Sequence, residues 1–148
     1  PNGRISCDAP LLMEPDGEGE RRAKVSPDGS PSHTDFQGER WFRDWTLARV
    51  TLESGRTHQI RAHAAYLAHP VAADQRYGIS DANERARALG LKRIFLHAET
   101  LAFNHAGQRL EVRAALPPDL RRVLDLLARE HDSKQQEPTH DPERRRRT

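Results

Sequence analysis

The chain has 148 residues, 35% hydrophobic and 31% charged, with 24 Lys and Arg against 22 Asp and Glu for a net charge of +2. That length supports one domain with a modest core, and the hydrophobic share lies below the roughly 45–50% usual for soluble domains, so part of the chain is expected to stay unpacked. No stretch approaches the roughly 20 apolar residues that span a bilayer, and the single cysteine, Cys7, excludes an internal disulfide framework and a Cys-based zinc site. The opening Pro1-Asn2-Gly3-Arg4 offers no apolar signal core, which points to a cytoplasmic protein and reads as a chain cut from something longer.

In chain order, residues 1–40 are rich in Gly, Pro, Ser and acidic groups and read as an irregular segment. Arg4–Cys7 and Arg21–Val25 are candidate edge strands, and Asp28-Gly29 is a turn signal. From Trp41 to Glu53 alternating residues predict a strand with at least one packed face, ended by Gly55. Thr57 is placed to cap a helix through His58–Leu67, with Ile60, Ala64 and Leu67 as its buried side and His69-Pro70 as its stop. His58 and Arg61, three apart, share another face.

Asp74–Gly78 reads as a loop, and Asp81–Leu91 as a short helix with Asp81 or Asn83 near its start and Gly90 at its end. Ile94–Ala98 and Leu101–Phe103 are predicted to form a buried strand, turning through Asn104–Gln108 into Arg109–Ala115 as a hairpin. Pro117 and Pro118 open a last helix, Asp119–Arg129, with Leu120, Val123, Leu124 and Leu127 on one stripe. Residues 130–148 lack periodicity, end in a run of four arginines and are expected to be a disordered tail.

The chemistry concentrates in Ser54-Gly55-Arg56-Thr57-His58-Gln59-Ile60-Arg61-Ala62-His63, a strand end, a glycine turn and a helix start dense in donors. Free backbone N–H groups there favour an anion, and a phosphate and a carboxylate suit the spot equally. A zinc site on His58, His63 and His69 fits poorly. His58 and His63 are five residues apart, about 140° around a helix, where metal-binding helices use i, i+4.

This string closely resembles the third conserved motif of the RluA-like pseudouridine synthases. Ordered companions extend the resemblance over roughly residues 4–128. They are Ala9-Pro10-Leu11-Leu12, the stretch from Val25 to Thr34, His69-Pro70-Val71-Ala72-Ala73-Asp74-x-x-Tyr77-Gly78, Arg93–Ala98 with Leu101-x-Phe103, and Leu116–Leu120. The upstream pieces are similar to the C-type enzymes of large-subunit ribosomal RNA. The resemblance implies an α+β fold, with a mixed, mainly antiparallel sheet and flanking helices, of which residues 41–129 would be the C-terminal part of the catalytic domain. It also implies an isomerase that detaches uracil from ribose at nitrogen, turns it and rejoins it through carbon, with RNA as partner and no cofactor or metal.

In that family an ionised aspartate starts the reaction and a flipped nucleotide meets it. By resemblance Arg61 would make the salt bridge to that aspartate and Ile60 would pack beside the base, while Arg56, His58, Gln59 and His63 would hold the motif or touch RNA. Asp74 and Tyr77 are expected to fix the loop, and Arg93 and His97 to serve a strand and its packing. The family's arginine-leucine-aspartate-x-x-threonine-serine-glycine motif does not occur in these 148 residues, and neither Arg43-Asp44 nor Arg122–Asp125 replaces it. The chain is therefore expected to be inactive alone, to leave Arg61 without its carboxylate unless water or an anion reaches it, and to pair with a separate N-terminal half. The alternatives are an inactive RNA-binding module and a truncated fragment.

Overall fold

A computed structural model describes residues 3–135 of the chain. Seven strands and three helices follow in the order β1 (Arg4–Cys7), β2 (Leu11–Pro15), β3 (Arg21–Val25), β4 (Thr34–Trp41), β5 (Thr46–Leu52), α1 (Gln59–Tyr66), α2 (Ser80–Ala88), β6 (Thr100–His105), β7 (Gln108–Arg113) and α3 (Pro118–Gln135). The arrangement is α+β. Among the described residues every strand pairing is antiparallel, and the strands form three small sheets, ordered β1-β4-β5, β2-β3 and β6-β7, in place of one mixed sheet.

The first forty residues are more regular than their composition suggests. They hold β1, β2, β3 and all but the last residue of β4, so the expected boundary at 40/41 falls within a strand that pairs on both sides. The tight turn after β3 closes from Gly29 N to Ser26 O at 3.0 Å, with Pro27 and Asp28 at its centre. The strand predicted over 41–53 is instead the end of β4, a turn closed from Phe42 N to Trp45 O at 2.8 Å, and β5. None of the seven residues of β5 is fully buried.

Two apolar clusters hold the elements together. Leu120, Val123 and Leu127 of α3 pack with Ala73, Ala86 and Leu91, and Phe42, Trp45 and Phe95 close over them. The predicted stripe on the last helix is thus its buried face, with Leu120 fully enclosed and about 2–5 kcal/mol at stake in its truncation to Ala. A second cluster joins Leu11, Ala23 and Ala62 to Tyr77. Helix α3 continues to Gln135, so residues 130–135, expected to be tail, are helical; residues 136–148 lie outside the described part.

The buried strand expected at 94–103 divides. Ile94–His97 is half-buried and irregular, tied down by Phe95 N to Ala72 O at 2.9 Å, and the strand proper starts at Thr100. β6 and β7 form the expected hairpin, turning through Ala106 (φ 48°) and Gly107 (φ 77°), the left-handed pair that a two-residue hairpin turn needs. Every residue of this hairpin is exposed. Leu101 faces Val112 and Phe103 faces Leu110 across the ladder, so four apolar side chains share one face, and they are 62%, 55%, 43% and 39% exposed respectively. A lone two-stranded hairpin is at best marginally stable in water. The ladder is continued by Ala114 N to Glu99 O at 2.8 Å, and the Arg49–Glu99 ion pair ties this end of the hairpin to β5.

Candidate active site

The turn from β5 into α1 is built around one buried glutamine. Gln59 Oε1 accepts from Ser54 Oγ (2.9 Å) and from the Arg56 amide (3.0 Å), while its Nε2 donates to His33 O (2.8 Å) and Thr34 Oγ1 (3.0 Å). The side chain is thereby a clamp that fastens the 54–57 turn to the start of β4. Thr57 does not cap the helix. The N-cap is His58, in the left-handed region at φ 55°, ψ 20°, with no side-chain cap bond. A non-glycine residue there costs on the order of 1–2 kcal/mol.

The buried side of α1 is correspondingly polar: Gln59, Ala62, His63 and Ala64 are enclosed, and Ile60 and Leu67, expected to be buried, are only half so. His63 has no exposed surface. Its Nε2 donates to Ala9 O at 2.8 Å, which leaves Nδ1 as the acceptor from Thr34 Oγ1 at 2.7 Å. This set of partners suits the Nε2–H tautomer of the ring. All polar atoms of Gln59 and His63 are thus committed within the protein. Arg56 is exposed and donates from Nε to Pro31 O at 3.3 Å.

His58 and Arg61, on the shared face the spacing predicts, converge on Tyr77. The Tyr77 hydroxyl accepts from the Ala23 amide of β3 at 2.8 Å and lies 3.0 Å from His58 Nδ1, so its own proton points to that nitrogen. The two rings meet edge to face, 5.6 Å apart at 74°. Burial, reinforced by the charges of Arg61 and Arg76, depresses the His58 ring and keeps it neutral at pH 7. The guanidinium groups of Arg22 and Arg61 lie over the Tyr77 ring at 4.8 and 5.0 Å, in range for cation–π attraction.

Arg61 is not unpaired. Its Nε donates to Asp74 Oδ2 and its Nη2 to Asp74 Oδ1, both at 2.8 Å. The Asp74 side chain has no exposed surface, against 22% for Arg61. Oδ1 also accepts from the Arg76 and Tyr77 amides, each at 3.0 Å, and the Asp74 carbonyl accepts from Gly78 N and Asn83 Nδ2, each at 2.9 Å. Burial opposes ionisation of Asp74, but the Arg61 guanidinium and the two amides outweigh it and hold the carboxyl below its usual range. A Cβ on Gly78 would collide with the Asp74 carbonyl, so this turn requires glycine. Arg76 is matched in its own right, by Asp16 and by Glu20 at 2.6 Å.

Of the residues singled out by the motif, the fold brings His58 and Arg61 to one centre, buries Gln59 and His63 beneath it, half-buries Ile60 and leaves Arg56 outside. Asp74 and Tyr77 do fix the loop, as expected, and they also set the position of Arg61. The Asp-x-x-Tyr spacing carries a readable signal for this, an Asp side chain accepting the amides two and three residues on. Nothing in the sequence marks Arg22 for this site, and the stretch that ends in Thr34 gives no sign of its contact with His63. Arg93 pairs with Asp119 at the start of α3 (2.8 Å), and His97 Nε2 donates to Ala114 O (2.8 Å). Among the described residues no group of three or more His, Cys, Asp or Glu side chains is placed to hold a metal ion, and no helix is long and apolar enough to cross a membrane.

No family model matches the chain. Its sequence is 40% identical over 127 residues to ribosomal large subunit pseudouridine synthase C of Pasteurella multocida, covering 84% of this chain and 39% of that protein. The enzyme of the same name from Yersinia pestis is 43% identical over 121 residues, 80% of this chain and 38% of that one. In structure the chain is similar to human RNA pseudouridylate synthase domain containing 1, with a TM-score of 0.64 and 24% identity over 88% of this chain and 60% of that one. A human protein with the domain numbered 4 gives a TM-score of 0.60 at 19% identity, over 85% of this chain and 57% of that one. These two likenesses concern the fold. The chain spans about two fifths of the length of the bacterial relatives it matches, and within that stretch it belongs to the pseudouridine synthase family.

Proposed function

We propose that this chain provides the arginine-bearing part of an RNA pseudouridine synthase that isomerises uridine in large-subunit ribosomal RNA. The observation that carries the reading is the setting of Arg61. Asp74 grips the guanidinium along its Nε–Nη2 side, so Nη1 is outside that pair. Arginine has five donors and serves two acids at once, and Nη1 is the atom that would meet a catalytic carboxylate. Asp74 cannot be that carboxylate, because it is fully enclosed and already accepts four hydrogen bonds.

The catalytic aspartate is then contributed by polypeptide other than these 148 residues. The uncovered apolar face of the β6–β7 hairpin supports this, since sheet faces of this kind are normally packed. In the complete site Arg61 keeps the aspartate ionised beside the flipped nucleotide, Ile60 packs near the base, and Arg56 and His58 contact RNA. Gln59 and His63 act from beneath, as the residues that position the turn.

The test is a uridine-to-pseudouridine assay on large-subunit ribosomal RNA. We expect no conversion by the chain alone. Conversion is expected when the chain is co-expressed with the portion of the Yersinia pestis relative that it does not match, and is lost with Arg61→Ala. Conversion by the chain alone would overturn the need for an outside aspartate. RNA binding without conversion in either setting would favour an RNA-binding module.

A further inference from the structure

Arg61 and Asp74 also form one wall of a cleft of about 570 Å³, closed by Arg87 of α2 and by the segment Gly90–Ile94. Its floor is apolar, with Leu91 and Ala73 buried. Four cations line it against a single carboxylate. Two of the four are neutralised, Arg61 by Asp74 and Arg93 by Asp119. The other two are not: Arg87 is held only by the neutral Gln75 Oε1, at 3.2 Å, and Lys92 has no acidic partner among the described residues. The cleft therefore has uncompensated positive charge above an apolar base, next to the arginine that the proposed function assigns to the reaction.

We propose that this cleft binds a phosphodiester of the RNA strand, with Lys92 and Arg87 as its contacts and the apolar floor beneath the adjoining nucleoside. This rests on the reading of the chain as part of an RNA-modifying enzyme, which makes RNA the polyanion. A guanidinium and an ammonium lining one cleft suit a phosphate on a strand that continues past the site. The Arg87–Gln75 contact holds one of them in place before RNA arrives.

The experiment is a fluorescence-anisotropy titration of the full chain with a short single-stranded uridine-rich RNA, repeated over a series of salt concentrations. Each phosphate contact on a single strand contributes about 0.7 to the slope of log affinity against log salt. The double variant Arg87→Ala/Lys92→Ala should flatten that slope by about 1.4, and Arg87→Lys/Lys92→Arg should restore it. A charge-matched control, Arg109→Ala/Arg113→Ala on the polar face of the β6–β7 hairpin, should leave the slope unchanged. If both double variants give the same slope, the cleft is not the phosphate site. The same holds if the cleft variant lowers only the melting temperature, since cations near the C-terminal end of α2 also complement its dipole. Uridine monophosphate should not displace the RNA; displacement would assign the cleft to a free nucleotide. A wild-type chain with no salt-dependent RNA binding would refute the proposed function itself, whereas binding that ignores Arg87 and Lys92 refutes only the cleft.

Discussion

Replacing Asp74 by asparagine keeps the volume of the side chain and removes the charge that faces Arg61. The geometry says which bond is lost. Oδ1, which accepts from the Arg76 and Tyr77 amides and from Arg61 Nη2, can be kept as the amide oxygen. The Oδ2 position then becomes an NH₂ that confronts the N–H of Arg61 Nε, donor against donor, across 2.8 Å. Breaking a buried pair from one side costs about 3–5 kcal/mol; because Arg61 is 22% exposed, water recovers part of this, and about 2–4 kcal/mol is expected. For a chain of this size that lowers the melting temperature by about 5–15 °C, readable by circular dichroism. The gap between wild type and variant should also depend on pH. Asp74 is depressed below 3.8 in the folded chain, so its stabilisation is full above the unfolded value and fades as pH falls from there through the folded one. A loss under about 1 kcal/mol, the scale of an exposed ion pair, would refute the buried pair and with it the account of how Arg61 is aimed.

Three further outcomes follow from other parts of the fold. Thr34→Val leaves His63 Nδ1 without its donor and removes one acceptor of Gln59 Nε2; a loss of about 2 kcal/mol in urea unfolding is expected, largely restored by Thr34→Ser. His33 lies between Asp8 and Asp35, whose hydrogen bonds raise its pKa above 6.5. A raised group stabilises below its unfolded value and stops doing so as pH rises through the folded one, so the advantage of wild type over His33→Ala should be larger at about pH 5.5 than at about pH 8.5, with the ring titration followed by NMR. On the hairpin, Leu101→Thr/Val112→Thr should change stability by no more than about 0.5 kcal/mol and reduce both binding of a hydrophobic dye and self-association. A much larger loss would mean that this face is packed in the free chain.

Helix α3 and the β6–β7 hairpin were legible in the sequence because their determinants are local: a stripe of Leu120, Val123, Leu124 and Leu127, and a turn within Asn104–Gln108 that contains Gly107. Strand β4 was not. Thr34–Trp41 carries Asp35, Gln37, Gly38, Glu39 and Arg40, and its extended form comes from pairing with β1 and β5 on its two sides. The face of α1 was misread for a related reason. Hydrophobic spacing selects Ile60 and Leu67, whereas the fold buries Gln59 and His63, whose partners His33 O, Thr34 and Ala9 O lie 25 to 54 residues away. A buried polar side chain is identified by its partners, and no local pattern contains them. The partner of Arg61 was hidden in the same way: Asp74 reaches it through a loop that turns at Ala73, at φ 58°, and the motif around Arg61 says nothing about that turn.

That pairing changes what the motif does. An arginine aimed only by the acid it serves would be mobile until the acid arrived, and its desolvation would fall on the moment of assembly. Here Asp74, fixed by two amides through Oδ1 and by Asn83 and Gly78 through its carbonyl, holds the guanidinium side-on, and the Tyr77 ring lies beneath it. The cost of burying Arg61 is met within the chain, and the donors outside the Asp74 pair are oriented in advance. It follows that Arg61→Lys should not substitute in the conversion assay. A lysine has one nitrogen for two acids, so in satisfying the buried Asp74 it withdraws the charge from the carboxylate it would have to serve. Recovery of activity by that variant would show that a point charge suffices, and the side-on geometry would then have no part in the site.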